Sequence, residues 1–269
     1  MRALMIAIGQ SNWAGAARNE GGGVPLRYRS IATGITDPLP MCGNANQGGS
    51  CFPLLIDIMY ARGVRLDVLN AAIGGASIWD YCGRVGGTPP VSGATIIGQG
   101  YFLNGQRLSG GTGTCVEGDP DFDPFGLLAW ARTALASAAA LDYDIVVSYW
   151  CNGETDAGST AGSYADAQVS VANYMLGSAV DKHLIGLTCK HAAATAESFD
   201  LLQQGITQAV TTLKYQDKPV FKGHDMFARY GSAPPLYPEP DGVSYVHLTM
   251  RGQEVQAHLA SNALYAAGV

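Results

Sequence analysis

Short apolar segments alternate with helical patterns along most of the chain, and this alternation constrains the fold more than any other feature. The segments of strand length are "RALMIAIG", "VRLDVLNAA", "DIVVSYW", "HLIGLTC" and "PVFKG". Helical patterns separate them, apart from a glycine-rich interval at about residues 83–118. Strands joined by helices predict a parallel sheet covered on both faces, because parallel strands need long crossover connections. In the absence of an internal repeat or a linker, we expect one α/β domain over residues 1–269, with the glycine-rich interval as a loop insertion.

Capping residues predict where the helices begin. "PLLIDIMYARG" predicts the first helix, and Asp123 with Pro124 forms an N-cap and first-turn pair for a helix to about Leu141. Three further starts are expected, at a Ser163-x-x-Asp166 capping box, at Ser198 and after Thr249.

Charge and hydropathy argue against two classes of partner. The formal net charge is -6 and Lys and Arg form no cluster, so nucleic acid and anionic membranes find no basic surface to bind. Apolar runs stay below the roughly 18 residues that span a bilayer, since Arg132 and Asp142 interrupt the longest one. The run after Arg2 is too short for a signal peptide and is typical of a first strand. If the protein works outside a cell, we expect a longer parent chain, a virion component or a removed leader.

The six cysteines fit no zinc or CxxC spacing, so we expect no metal. Two loop-closing disulfides, Cys42–Cys51 and Cys82–Cys115, are one alternative, and reduced thiols are the other. Cys151 and Cys189, at the ends of predicted strands, are expected to be buried small apolar residues.

Polar clusters follow or flank several predicted elements at one edge of the sheet. They are "GQSN" after the first strand, "AAIGGASIW" after the second, "WCNGETD" after the third and "DGVSYVHLT" before the last helix. In an open parallel sheet, ligands bind beyond the carboxyl ends of the strands, beside the point where the strand order reverses. The four clusters are therefore expected to form one site.

These clusters contain the groups that ester hydrolysis needs: a nucleophile, a base and donors for the developing oxyanion. Ser11 is the candidate nucleophile, and His247 the candidate general base and acid. The backbone N–H groups of Ser11 and Gly75, with the side-chain amide of Asn152, are the candidate oxyanion donors. Glycine at position 75 would let a carbonyl group approach the backbone closely. No cofactor is required by this chemistry.

In this order, "GQSN", "GGASIW", "NGETD" and "VHL" resemble the four blocks of the SGNH, or GDSL-like, hydrolases. The most similar subgroup is that of the GQSN-type carbohydrate O-acetylesterases, which includes sialate O-acetylesterases and acetylxylan esterases. The resemblance implies a three-layer α/β/α sandwich with a flavodoxin-like central parallel sheet. It also implies the roles given above to Ser11, Gly75, Asn152 and His247.

The chain departs from the family pattern at two positions. Asn152 stands where the carbohydrate esterases usually have glutamine, and it keeps a side-chain amide. Ser244 stands where the family has the acid that orients the histidine. Three alternatives stay open: Asp241 replaces the acid, a backbone carbonyl replaces it, or Ser11 and His247 act as a dyad.

Residues beside the blocks have two interpretations each. The rings of Trp13, Trp79 and Tyr245 suit stacking on sugars, and core packing is the alternative. Glu154 and Asp156 are too close in sequence for opposing acid and base roles, so we expect them to tie the motif loops together by hydrogen bonds. The remaining histidines match no block and are expected to be structural: His183, His191, His224 and His258.

The expected activity is removal of O-acetyl groups from a carbohydrate through an acyl-enzyme. Two alternatives remain: a carbohydrate-binding module on a degenerate esterase fold, motivated by Ser244, and a short-chain lipid or thioester hydrolase of the same superfamily. Few lysines and many Gly, Ser and Thr residues would suit a secreted esterase or part of a phage tail, so we expect an extracellular or virion-associated location.

Overall fold

A five-stranded parallel sheet forms the centre of the protein. The computed structural model describes residues 1–9, 13, 51–70, 72, 78, 128–129, 132, 135, 143–153, 156–188, 195–230, 248 and 250–269. The strands are β1 (Arg2–Gly9), β2 (Arg65–Asn70), β3 (Ile145–Asn152), β4 (Lys182–Leu187) and β5 (Val220–Asp225). Each of the five predicted strand segments is therefore confirmed.

The strand order is β2-β1-β3-β4-β5, and every neighbouring pair is parallel. This is the flavodoxin-like order, in which the chain first builds outward from β1 in one direction and then, from β3, in the other. The order reverses between β1 and β3. The predicted sheet type is confirmed.

Helices cover both faces of the sheet. They are α1 (Phe52–Ala61), α2 (Ala161–Leu176), α3 (Ala196–Tyr215), the short α4 (Met226–Tyr230) and α5 (Met250–Ala266). Helices α1 and α5 pack on one face and α2 and α3 on the other, which gives the predicted three layers. Within the described ranges, none of the helices has the length and apolar character needed to cross a membrane.

Burial on both faces explains why the central strands β1 and β3 are mostly apolar. Successive residues of β1 point to opposite faces, so Leu4, Ile6 and Ile8 join the core under α2 and α3. Ala3, Met5 and Ala7 join the core under α1 and α5. All eight residues of β3 are buried. A parallel sheet with two covered faces leaves no exposed side that would need polar residues.

Two helices begin earlier than predicted. Thr160 is the N-cap of α2, and its side chain accepts a hydrogen bond from the Ser163 N–H at 3.2 Å. The predicted capping box at Ser163 was therefore wrong by three residues. Thr195 caps α3 in the same way, accepting from the Ser198 N–H at 3.1 Å. In both cases the threonine has extended backbone and the serine is the third helical residue, which is the geometry of an N-cap.

The other predicted helices agree with the described residues. α1 lies within the predicted segment apart from its first residue, and α5 begins at Met250, directly after Thr249. Of the stretch predicted to follow Pro124, the described residues are helical: Leu128, Ala129, Arg132 and Leu135. The glycine-rich interval at 83–118 lies outside the described residues.

Two of the cysteines are described. Cys51 is buried at the N-cap of α1, and Cys151 is buried in β3 as expected. The other four cysteines lie outside the described residues, so both predicted disulfide pairings stay predictions.

Gly9 closes β1 in a conformation that favours glycine. Its φ is +134°, and a Cβ atom there would lie 1.9 Å from the carbonyl oxygen of Cys151 on the neighbouring strand. Close contact between the ends of β1 and β3 therefore depends on a missing side chain.

We expect Gly9→Ala to lower the free energy of unfolding by about 3 kcal/mol, because strain and overlap with β3 add together. Gly63→Ala is the matched control: its φ is +81°, but nothing lies within 4 Å of its Cβ position. Backbone strain alone should cost this variant about 1 kcal/mol. Urea unfolding of both variants would measure the difference, and equal losses would contradict the close approach of β1 to β3.

Candidate active site

The carboxyl ends of β1 and β3 meet where the strand order reverses. Gly9 is paired in register with Cys151, so the last residue of β1 lies beside the penultimate residue of β3. Open α/β sheets bind ligands at this kind of position. The first and third polar clusters of the sequence begin at these two strand ends.

Asn152 is the predicted site residue that the structure describes most fully at this edge. It is the last residue of β3 and is buried. Its Oδ1 atom accepts a hydrogen bond from the Gly153 N–H at 2.7 Å. Only the oxygen of an amide group can accept a hydrogen bond from an N–H group, so this bond assigns the orientation of the side-chain amide. The Nδ2 donors therefore point away from Gly153. The helix that follows is capped by Thr160, so Asn152 does not serve as its N-cap.

Asp156 ties the second and third clusters together. It is buried, and its Oδ1 accepts a hydrogen bond from the Ile78 N–H at 3.0 Å. Ile78 belongs to "GGASIW" and Asp156 to "NGETD". The predicted role of Asp156 in joining the motif loops is confirmed, whereas Glu154 lies outside the described residues.

Trp13 requires a correction. Its side chain is fully buried, its indole Nε1 donates to the carbonyl oxygen of Tyr149 at 3.2 Å, and its ring packs edge-on against Phe52 at 5.0 Å. A ring enclosed in the core offers no face to a sugar, so the core-packing alternative applies to Trp13. The other predicted site residues lie outside the described residues: Ser11, Gly75, Trp79, Tyr245 and His247, together with Asp241 and Ser244.

A buried polar network lies beneath the ends of β1 and β3. The Tyr149 hydroxyl is 2.7 Å from His224 Nδ1, and it accepts a hydrogen bond from the His224 backbone N–H at 2.7 Å. The other ring nitrogen of His224, Nε2, is 3.3 Å from Cys151 Sγ. Gln256 Nε2, from α5, is 3.7 Å from the same sulfur. Trp13 packs against the rings of both Tyr149 and His224, with centroids 5.0 and 5.3 Å apart.

His183 forms a second buried pair, on the opposite face of the sheet. Its Nδ1 atom is 2.6 Å from Ser148 Oγ, and both residues are fully buried in the middle of the sheet. Burial lowers the pKa of His183 and that of His224 to about 3, because a low-dielectric interior disfavours the imidazolium. Both rings are therefore neutral at pH 7, as suits structural histidines.

These two histidines predict a loss of stability in mild acid. Between the folded pKa of about 3 and the unfolded value of about 6.5, the unfolded chain binds more protons, so stability falls as the pH drops below 6.5. From pH 7 to pH 5.5, we expect His183 and His224 together to remove about 2 to 3 kcal/mol from the free energy of unfolding.

Urea unfolding at the two pH values would measure this loss. His183→Gln should remove about half of the pH dependence, with the same change at the exposed His258 as the matched control. A stability that does not change over this range would contradict the burial of two neutral histidines.

A groove of about 560 Å³ lies between α3 and the edge strand β5. Gln203 donates to Asp225 and Lys222 donates to Thr207 along its wall, at 2.7 and 2.9 Å. Strands β3 and β4 separate β5 from β1, and His224 of the buried network also lines the groove. Among the residues that the structure describes, no group of three or more His, Cys, Asp or Glu side chains is arranged to hold a metal ion.

Comparisons with known proteins identify the fold. No model of a protein family matches the chain, and no curated protein matches its sequence. A solved structure of a protein from Arabidopsis thaliana matches over 98% of both chains, with a TM-score of 0.54 and 12% identity. A carbohydrate acetylesterase from Xanthomonas citri matches with a TM-score of 0.50 and 13% identity, over 98% of this chain and 56% of its own length.

A lipolytic protein of the G-D-S-L family from Veillonella parvula matches over 98% of both chains, with a TM-score of 0.46 and 11% identity. The likenesses to the Arabidopsis and Xanthomonas proteins show that this chain shares their fold. They agree with the α/β/α architecture built on the five-stranded parallel sheet.

Proposed function

We propose that this protein is a serine esterase of the SGNH type that removes O-acetyl groups from a carbohydrate. Ser11 acts as the nucleophile, His247 as the base, and Ser11, Gly75 and Asn152 supply the oxyanion donors. The reaction needs no metal or cofactor.

The position and orientation of Asn152 are the observation that carries this proposal. The residue is buried at the end of β3, beside the end of β1, where the strand order reverses. Its amide oxygen accepts from the Gly153 N–H, so its NH₂ group is directed away from Gly153. A preorganised donor at such an edge suits stabilisation of an oxyanion.

The covalent chain supports the position of the nucleophile. Ser11 lies two residues after Gly9 and two residues before Trp13. Gly9 and Trp13 both contact β3. Two residues of chain reach at most about 7 Å, so we expect Ser11 to lie near the same strand ends. Asp156 supports the same arrangement, because it joins the loop of Asn152 to the segment that contains Gly75.

The proposed reaction has two steps. Ser11 Oγ attacks the acetyl carbonyl carbon while His247 accepts its proton; the bond to the sugar oxygen then breaks, and His247 returns the proton to that oxygen. A water molecule next gives a proton to His247 and attacks the acetyl-serine carbonyl carbon. The bond to Ser11 Oγ then breaks, His247 returns the proton to that oxygen, and acetate is released. The family's acid is absent, because Ser244 stands at its position. Asp241 or a backbone carbonyl would orient His247 instead, or Ser11 and His247 act as a dyad.

Acetylated carbohydrate is the first substrate class to test, because the Xanthomonas protein that shares this fold is a carbohydrate acetylesterase. The experiment compares hydrolysis of p-nitrophenyl acetate, butyrate and octanoate, and then acetate release from acetylated xylan and O-acetylated sialic acid. Ser11→Ala is the blank. We expect turnover confined to short acyl chains.

Other results would overturn the proposal. Preference for the octanoate ester would favour the lipid hydrolase. Absence of turnover above the Ser11→Ala blank, in a folded protein that binds the polysaccharides, would favour the carbohydrate-binding module.

A further inference from the structure

We propose that His224 is a positioning residue for the candidate active site, acting through Tyr149 and Cys151 on the carboxyl end of β3. The inference rests on the proposed esterase function, to which it adds a residue outside all four sequence blocks. Its basis is the set of hydrogen-bonded contacts in the network beneath the strand ends.

Side chains of β3 engage both ring nitrogens of His224. The Tyr149 hydroxyl accepts from the backbone N–H of His224 and lies 2.7 Å from the ring atom Nδ1. The other ring nitrogen, Nε2, lies 3.3 Å from Cys151 Sγ. The tautomer with Nδ1 as acceptor and Nε2–H as donor gives the hydrogen of the buried Tyr149 hydroxyl an acceptor, and we assign it on that ground. The histidine thus links Tyr149 to Cys151, both on β3.

Cys151 is the point at which this network meets the candidate site. Its backbone is in register with Gly9 and precedes Asn152, and its sulfur faces the N–H groups of His224 and Gln256. Gln256 lies in α5, the helix that follows the segment containing His247. The network therefore contacts β3 and α5, two of the elements that adjoin the sequence blocks.

Trp13 connects this network to the segment that contains Ser11. Its indole donates to the Tyr149 carbonyl, and its ring packs against those of Tyr149 and His224. A displacement of His224 would therefore also displace Trp13, two residues from Ser11, and Cys151, next to Asn152.

The neighbouring strands leave space for this arrangement. A Cβ atom at Gly223 would lie 2.6 Å from Cε2 of the Tyr149 ring, and one at Gly186 would lie 3.1 Å from the same atom. Two glycines on adjacent strands thus allow the Tyr149 ring to reach His224. His183 provides a contrast: its Nδ1 pairs with Ser148, but its Nε2 has no hydrogen-bond partner among the described residues.

This contrast supplies a matched test. We would compare His224→Leu and His224→Gln with His183→Leu, measuring kcat and KM for p-nitrophenyl acetate together with the urea midpoint. We expect His224→Leu to lower kcat about 10- to 100-fold with KM changed less than about twofold, because small displacements of reacting groups cost about this much. Glutamine, which can still donate to Cys151, should recover most of the loss. His183→Leu should lower stability to a similar degree with kcat changed less than about twofold.

A second measurement keeps the inference separate from the proposed function. The side-chain amide resonance of Asn152 is recorded by NMR in each variant, and we expect it to shift with His224→Leu and to stay in place with His183→Leu. An inactive wild-type protein with this shift would refute the esterase but leave the positioning of Asn152 intact. An unshifted resonance, an unchanged kcat in His224→Leu, or equal losses of kcat in both leucine variants would overturn the inference.

Discussion

Replacing Ser11 by alanine is expected to lower ester hydrolysis at least about a thousand-fold, because the acyl-enzyme route then has no nucleophile. Binding of the substrate should persist, since the hydroxyl makes only one of its contacts. The measurement is kcat/KM for p-nitrophenyl acetate, with folding checked by the urea midpoint.

Ser148 is a demanding control for this prediction. Its Oγ lies 2.6 Å from a histidine nitrogen, so by distance alone Ser148 and His183 resemble a catalytic pair. Both are fully buried in the sheet, where no ester can reach them. Ser148→Ala should therefore keep kcat within about twofold and lose about 1–3 kcal/mol of stability, the cost of an unpaired buried group. Loss of activity in Ser148→Ala with retention in Ser11→Ala would reverse the assignment.

Replacing Asn152 by alanine is expected to lower kcat roughly 100- to 1,000-fold, the usual effect of removing one oxyanion donor. Asn152→Asp is the informative companion variant. An aspartate keeps an oxygen for the Gly153 N–H but replaces the NH₂ donor by a second oxygen, whose negative charge would repel the oxyanion.

The two variants separate the possible roles of Asn152. If the residue donates to the oxyanion, the aspartate variant loses at least as much kcat as the alanine variant does. If the residue only holds Gly153, the aspartate variant keeps more of the wild-type kcat than the alanine variant does. Both variants are expected to lose stability, since aspartate places a negative charge at a fully buried position. Steady-state kinetics at saturating p-nitrophenyl acetate and urea unfolding distinguish these outcomes.

Local sequence signals predicted the elements well but misplaced some of their ends. The hydroxyl side chains at Thr160 and Ser163 are both suitable caps, and only the backbone at Thr160, extended with ψ of 157°, decides between them. The fifth strand was predicted to end at Gly223, whereas β5 continues to Asp225. That extension places His224 on the strand facing Tyr149, and no pattern within "GHD" signals it.

The candidate site was predicted in part. Asp156 joins two motif loops as expected, since a carboxylate in a polar loop needs donors and the sequence placed both loops at one edge. The role of Trp13 could not be assigned from the sequence. Stacking on a sugar and packing against Phe52 and Tyr149 both require a large aromatic side chain, so the residue type does not distinguish them.

The sequence by itself determined the succession of strands and helices and the α/β class, because apolar periodicity and capping act over a few neighbouring residues. Only the tertiary structure decided which strand ends adjoin, that Trp13 is enclosed, and that His224 contacts Cys151. Those features depend on pairing between residues far apart in the chain, as in the contact of Tyr149 with His224, which are 75 positions apart. Local propensity carries no information about such pairings; the strand order and the packing of both faces of the sheet determine them.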